Sequence, residues 1–110
     1  MADATITYED FAKLDLRIAR VAEARLHPNA DRLMLLQIEI GGEKKQIVAG
    51  VRGHYEPEQL VGRQIVVINN LETALLRGEE SQGMLLAASD GDAVVLLQPD
   101  RECPSGSKVK

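Results

Sequence analysis

Leu14-Asp15-Leu16-Arg17-Ile18-Ala19-Arg20-Val21-Ala22-Glu23-Ala24 is the stretch on which the fold turns. Leu14, Leu16 and Ile18 alternate with Asp15 and Arg17, the period-two pattern of a strand with one buried face. Val21, Ala22 and Ala24 then change phase. In a strand this means a bulge or strong bend, because one extra residue moves the inward face by one position. A helix is the competing reading of the same residues.

Upstream, Thr7 with Asp10 three residues later predicts a capped short helix through about Lys13, with Ile6 and Phe11 placed as a hydrophobic staple. Downstream, His27-Pro28-Asn29-Ala30-Asp31 favours a turn, and a strand resumes from Arg32 to Ile40 with Leu36, Ile38 and Ile40 alternating. Gly41-Gly42 closes a hairpin rather than cradling a phosphate, since no helix follows it. The returning strand, Lys44 to Ala49, exposes Lys44, Lys45 and Gln46. Glu56-Pro57-Glu58-Gln59-Leu60 reads as one helical turn with proline near its start, after which Gly62 releases the chain. Ile65–Ile68 and Met84–Ala88 are further strands, and Asp90-Gly91-Asp92 turns the chain into Ala93–Leu97. About six short strands and little helix predict an all-β barrel or sandwich. The five-stranded OB-fold barrel fits that count, with a long curved first strand and a helical element between its third and fourth strands.

The 110 residues contain no internal repeat, linker or low-complexity segment, so residues 1–110 are expected to form one domain with a core over about 7–90. No apolar run approaches the roughly 20 residues needed to span a bilayer, and residues 2–8 lack the basic start and apolar stretch of a secretory leader. A cytoplasmic protein without membrane contact is expected. Cys103 has no second cysteine to bridge to, and with His27 and His54 it makes no ligand cluster, so neither a disulfide nor a metal or other cofactor is expected.

The formal net charge of −4 gives no whole-molecule attraction to a polyanion, so any nucleic-acid reading rests on local charge. Nine basic residues against seven acids between Lys13 and Arg63 leave room for a positive strip on one face. With Tyr8, Phe11 and Tyr55 as the only aromatics, base-after-base stacking is disfavoured. Catalysis is not expected: Ser81 has no base near it in sequence, His27 reads as a loop histidine, and His54-Tyr55 reads as packing beside the short helix. The sharpest site candidate is Ser81-Gln82-Gly83-Met84, which sets a hydroxyl and an amide beside a residue with no side chain, suited to phosphate, ribose hydroxyl or a base edge. Its plainer reading is a polar loop entering the strand near Met84. Asn29 and Asp31 are read as turn formers, and Gly78 and Gly83 as backbone enablers.

Five stretches taken in order resemble a known family: Phe11–Ile18, His27–Leu33, Ile47–Gly50, Tyr55–Gly62 and Gly78–Met84. The chain is similar to the tRNA-binding domain that occurs as a free-standing dimeric protein and as the C-terminal or β-subunit module of bacterial methionyl-tRNA synthetases. The resemblance implies an OB barrel whose terminal segments build a homodimer, Gly106-Ser107-Lys108-Val109 resembling the dimer-forming tail. It implies tRNA as ligand, with an aminoacyl-tRNA synthetase as candidate partner. Met1 close before the first motif agrees with a whole gene product, although an excised domain would look similar.

By the same resemblance, Ser81 is a hydrogen-bond donor to tRNA, Gln82 offers its amide, and Met84 is an apolar surface for an unstacked base or sugar. Arg32 stands where relatives carry a basic residue facing the groove, and a guanidinium grips phosphate or stacks on a base. Asn70 matches the family's asparagine near the end of the fourth strand, where it reads a base edge or satisfies a loop carbonyl. One departure is large: a basic Lys-Pro-Arg-Lys-like stretch is replaced by Glu72-Thr73-Ala74-Leu75, with Arg77 downstream as partial compensation. Losing two or three phosphate contacts weakens binding by about one or more orders of magnitude near physiological salt. The acidity favours a rival, since small secretion-related chaperones resemble the same dimeric barrel and bind unfolded peptides; a purely dimerising module with a decayed binding face is a third reading.

Overall fold

A computed structural model of the protein describes residues 4–110. The expectations placed on Met1 and on residues 2–3 of the opening stretch lie outside the described residues. In chain order the elements are α1 (Tyr8–Ala12), β1 (Leu16–Leu26), β2 (Met34–Ile40), β3 (Glu43–Ala49), α2 (Pro57–Leu60), β4 (Gln64–Ile68), β5 (Ala74–Leu76), β6 (Glu79–Ser81), β7 (Met84–Leu85), β8 (Ala87–Asp90), β9 (Ala93–Leu96) and β10 (Lys108–Val109).

The disputed stretch is a strand. Val21 pairs with Ile38 and Glu23 with Gln37, which leaves Ala22 as the extra residue of a bulge. The bend lets one strand serve two neighbours: Leu16–Arg20 pair with β4 and Arg20–Leu26 with β2. Barrel curvature follows, in the strand order β3-β2-β1-β4-β7. Gly41 and Gly42 both adopt positive φ, 57° and 98°, as a two-residue hairpin with the strands' own twist requires. Thr7 caps α1 by accepting the Asp10 amide at 3.1 Å, but Ile6 stays 68% exposed and closes no staple of consequence.

Inward-facing Ala19, Val21, Leu36, Ile38, Ile47, Ala49, Ile65, Val67 and Leu85 fill the barrel with α2's Leu60. Truncating one of the larger of these to alanine costs about 2–5 kcal/mol. The outer edges, β3 and β7, close the seam without a ladder. Gln82 donates its backbone N–H to Gln46 O at 2.8 Å, and its side-chain Oε1 accepts the Gln46 N–H at 3.0 Å. The Ser81 hydroxyl accepts the Val48 N–H at 2.9 Å.

Four expectations are corrected. The strand expected over Met84–Ala88 breaks at Leu86: β7 belongs to the barrel and β8 to a separate two-stranded sheet with β9. Ser81, whose plainer reading was part of a polar loop, ends β6 in the β5–β6 hairpin. The second strand begins at Met34, because Arg32 and Leu33 still belong to the preceding turn. Lys45 and Gln46 are half-buried, the lysine donating to Asn69 O and Oδ1 at 3.1 and 2.8 Å. The C-terminal segment is a strap on β1: Gly106 N–H donates to Ile18 O at 2.7 Å, and Ile18 N–H to Ser107 O at 2.9 Å.

Leu35 and Val48 lie opposite each other on the outer face of β2 and β3, yet both are buried. The β5–β6 hairpin is tied to the open edge of β3, by Ser81 to Val48 and by Gln46 Nε2 donating to Glu80 O at 2.9 Å.

Candidate functional site

The turn between β1 and β2, residues 27–33, meets the tip of the β5–β6 hairpin. Arg32 and Arg77, 45 positions apart in sequence, line one cavity of about 360 Å³ with Ala30, Asp31 and Leu33. Arg32 also lines a groove of about 600 Å³ with Gly50, Arg52, His54, Asp92 and Val94. Arg32 thus lines two separate hollows with net positive walls, each containing a single aspartate. Both Arg32 and Arg77 are exposed, and neither makes a hydrogen bond or ion pair among the described residues. Arg77 holds φ 54°, the one non-glycine residue there with positive φ, and sits between β5 and β6 where the hairpin turns.

Most other cations expected for a positive strip are engaged. Arg17 donates to Asp15 Oδ1 at 2.7 Å and to Gly106 O at 3.1 Å, Arg20 to Gly62 O at 2.8 Å, and Arg63 lies 5.4 Å from the Tyr55 ring centre. The local charge balance therefore overstates the strip, and the cationic surface concentrates at the groove. Arg52 and His54, missed in the sequence, belong to it. Arg52 is half-buried and donates to Ala30 O at 3.1 Å, bracing the turn that carries Arg32. Nothing local in Val51-Arg52-Gly53-His54 signals a meeting with a turn twenty residues earlier.

The remaining candidates divide. Ser81 is 2% exposed, and besides accepting from Val48 it donates to Gly83 O at 2.8 Å. Its hydroxyl has no hydrogen left for a ligand. Gln82 is half-buried with Oε1 held by Gln46, while its amide Nε2 makes no hydrogen bond among the described residues. Met84 is half-buried at the start of β7. Asn70 donates to Lys13 O at 2.7 Å and accepts the Asp15 N–H at 2.9 Å, so of its two open readings the carbonyl-satisfying one describes it. Next to it, Asn69 Nδ2 donates to Asp15 Oδ2 at 3.0 Å; this bond, with Arg17 second, holds the Asp15 carboxyl below the usual aspartate pKa.

Among the described residues no three His, Cys, Asp or Glu side chains are grouped to hold a metal, and no helix is long and apolar enough to cross a membrane. Cationic hollows flanked by a polar seam suit a phosphate backbone.

The model of the putative tRNA binding domain matches residues 16–108. The chain belongs to that family. It is 57% identical over 104 residues to the methionine–tRNA ligase of Thermotoga maritima, a match covering 94% of this chain and 16% of the ligase. It is 50% identical over 105 residues to that of Pyrococcus furiosus, covering 96% of this chain and 14% of the ligase. The chain therefore spans about a seventh of the length of these relatives. Among solved structures, a MetRS-related protein from Pyrococcus horikoshii superposes with a TM-score of 0.92 at 29% identity, covering 98% of this chain and all of that one. The chaperone CsaA of Bacillus anthracis superposes with a TM-score of 0.88 at 36% identity, covering 97% of this chain and all of CsaA. The tRNA-binding family and the MetRS relationship expected from the motifs hold, and the β-rich fold is that of the family.

Proposed function

We propose that this chain is a non-catalytic tRNA-binding module that grips tRNA through its phosphate backbone in the groove of Arg32 and Arg77. The observation that carries the reading is their placement across one cavity, in a chain whose family is a tRNA-binding one. Arg52 extends the cationic surface and His54 adds a polar ring to it, while Met84 and the Gln82 amide, half-buried elsewhere on the barrel, are further contacts for a sugar or base. Ser81 and Asn70 act through structure, the first closing the barrel and the second tying β4 to the end of α1. The module works in the cytoplasm, as one domain over its length, joined to or associated with methionyl-tRNA synthetase, where it raises the local concentration of tRNA.

The chain acts as a homodimer built from its terminal segments. Tyr8, Phe11 and Leu14 surround a hollow of about 260 Å³ with Lys108, Val109 and Lys110, and Tyr8 and Leu14 stay 74% and 40% exposed. Sedimentation equilibrium at tens of micromolar gives twice 12.0 kDa; a monomer removes this part of the reading.

A peptide-binding reading has one observation in its favour. Leu71 and Leu75, 47% and 69% exposed, present apolar surface where the expected basic stretch is missing, in a chain 36% identical to a chaperone. The deciding experiment is a tRNA titration at about 50 and 200 mM salt with unfolded polypeptide and random single-stranded RNA as competitors. With three phosphate contacts the affinity falls about 20- to 40-fold across that range. Saturable binding of the unfolded polypeptide, with no tRNA binding at low salt, favours the chaperone-like function.

A further inference from the structure

We infer that His27 is a positioning residue which sets Arg77 against Arg32, an inference that rests on the tRNA-binding reading of their groove. His27 follows the last residue of β1 and is 2% exposed. All its polar groups are engaged. Its backbone N–H donates to Leu33 O at 3.1 Å, which closes the turn bearing Arg32, and its carbonyl accepts Arg52 at 3.4 Å. On the ring, Nδ1 lies 2.9 Å from the backbone nitrogen of Asn29 and Nε2 lies 3.0 Å from the carbonyl oxygen of Leu76.

These two partners fix the tautomer. A backbone amide only donates, so Nδ1 is the bare acceptor; a carbonyl only accepts, so Nε2 carries the hydrogen. The imidazole is a rigid strut with an acceptor at one end and a donor at the other. One end holds the turn three residues before Arg32, and the other holds the carbonyl of the residue immediately before Arg77. Arg77 and Gly78, with φ of 54° and 89°, form the two-residue turn between paired Leu76 and Glu79, so a hold on the Leu76 carbonyl at the entry to that turn fixes where Arg77 stands. Elsewhere the hairpin is anchored through Glu80 and Ser81, on the β6 side of the turn; the His27 bond is the side-chain anchor on the β5 side.

Asparagine and glutamine divide the strut. An asparagine at 27 places its carbonyl oxygen near the Nδ1 position and keeps the Asn29 bond while losing Leu76. A glutamine places its amide nitrogen near the Nε2 position and keeps the Leu76 bond while losing Asn29. If His27 orders Arg77, His27→Asn lowers tRNA affinity about as much as Arg77→Ala, and His27→Gln retains most of it.

The test is a tRNA titration of a double-mutant set on the full chain, with folding of each variant checked by thermal unfolding. Arg77→Ala is expected to weaken binding several-fold in the unmodified protein and by less than about twofold in the His27→Asn background, while Arg32→Ala costs the same in both. Equal cost of Arg77→Ala in both backgrounds overturns the inference. Nitrogen NMR of the unmodified protein, which needs no variant to fold, is expected to show His27 protonated at Nε2 and bare at Nδ1; the opposite tautomer also overturns it. Failure of the unmodified protein to bind tRNA at low salt sinks the functional reading itself and removes His27's role in binding. Hydrogen exchange then judges the strut alone: selectively faster exchange in the β5–β6 hairpin of His27→Asn than of His27→Gln supports it, and equal exchange rejects it.

Discussion

The hydroxyl of Ser81 accepts the backbone N–H of Val48 at 2.9 Å across the open edge of β3, while its own hydrogen goes to Gly83 O at 2.8 Å. Ser81→Ala leaves both groups without their partner in a site 2% exposed to solvent. The expected loss is about 1–3 kcal/mol of stability, measured by urea unfolding, with tRNA affinity of the folded fraction little changed. A large affinity loss at unchanged stability would restore the direct contact.

Gly83 and Gly53 both hold positive φ, 154° and 93°, but only at Gly83 does a Cβ meet a neighbour, at 2.8 Å from Ile68 O. Both alanine variants carry backbone strain of about 1–3 kcal/mol. Gly83→Ala is expected to lower the thermal midpoint more than Gly53→Ala, since Ile68 is fixed in β4 and cannot yield. Equal midpoints would mean that the seam opens without cost.

Arg32→Ala and Arg77→Ala are each expected to reduce the slope of log affinity against log salt by about 0.7–0.9, the removal of one phosphate contact. Met84→Ala should weaken binding and leave that slope unchanged, because it removes an apolar contact and no charge. A slope unaffected by either arginine moves the binding surface elsewhere.

The Asp15 pKa is lowered chiefly by the hydrogen bond from Asn69 and next by that from Arg17. A carboxyl depressed in the folded state stabilises the fold above its unfolded value, about 3.9, and that contribution disappears as pH falls through the lower folded value. Unfolding free energy measured from pH 7 to 2.5 should therefore decline more steeply below about pH 4 in the unmodified protein than in Asp15→Asn. Parallel curves would show that the Asn69–Asp15–Arg17 cluster gives no net stability.

Several features were readable locally. Leu16 and Ile18 announce one buried face of β1, Val21 lies on the opposite, barrel-facing side, the phase change at Ala22 announces the bulge, and Gly41-Gly42 announces the hairpin, since period-two burial and positive φ leave their mark within a few residues. The β5–β6 hairpin was hidden because Ala74-Leu75-Leu76 is too short to show alternation and Glu79-Glu80-Ser81 has a polar composition. At the candidate site, Arg32 was found through the family pattern and Arg77 as a compensating cation beside a departure from it, but their shared cavity, and the addition of Arg52 and His54, were not found.

By itself the sequence determined the β-rich architecture, the bulged first strand, the β2–β3 hairpin and the family, because strand periodicity, turn chemistry and ordered motifs are properties of neighbouring residues. Only the tertiary structure decided which polar side chains stay free at the surface and which hold the fold together. Ser81, Asn70 and His27 carry groups able to bind RNA, yet barrel closure brings each within hydrogen-bond reach of backbone groups far away in the chain. A buried backbone N–H or carbonyl must find a partner, and that demand arises only after distant strands have met.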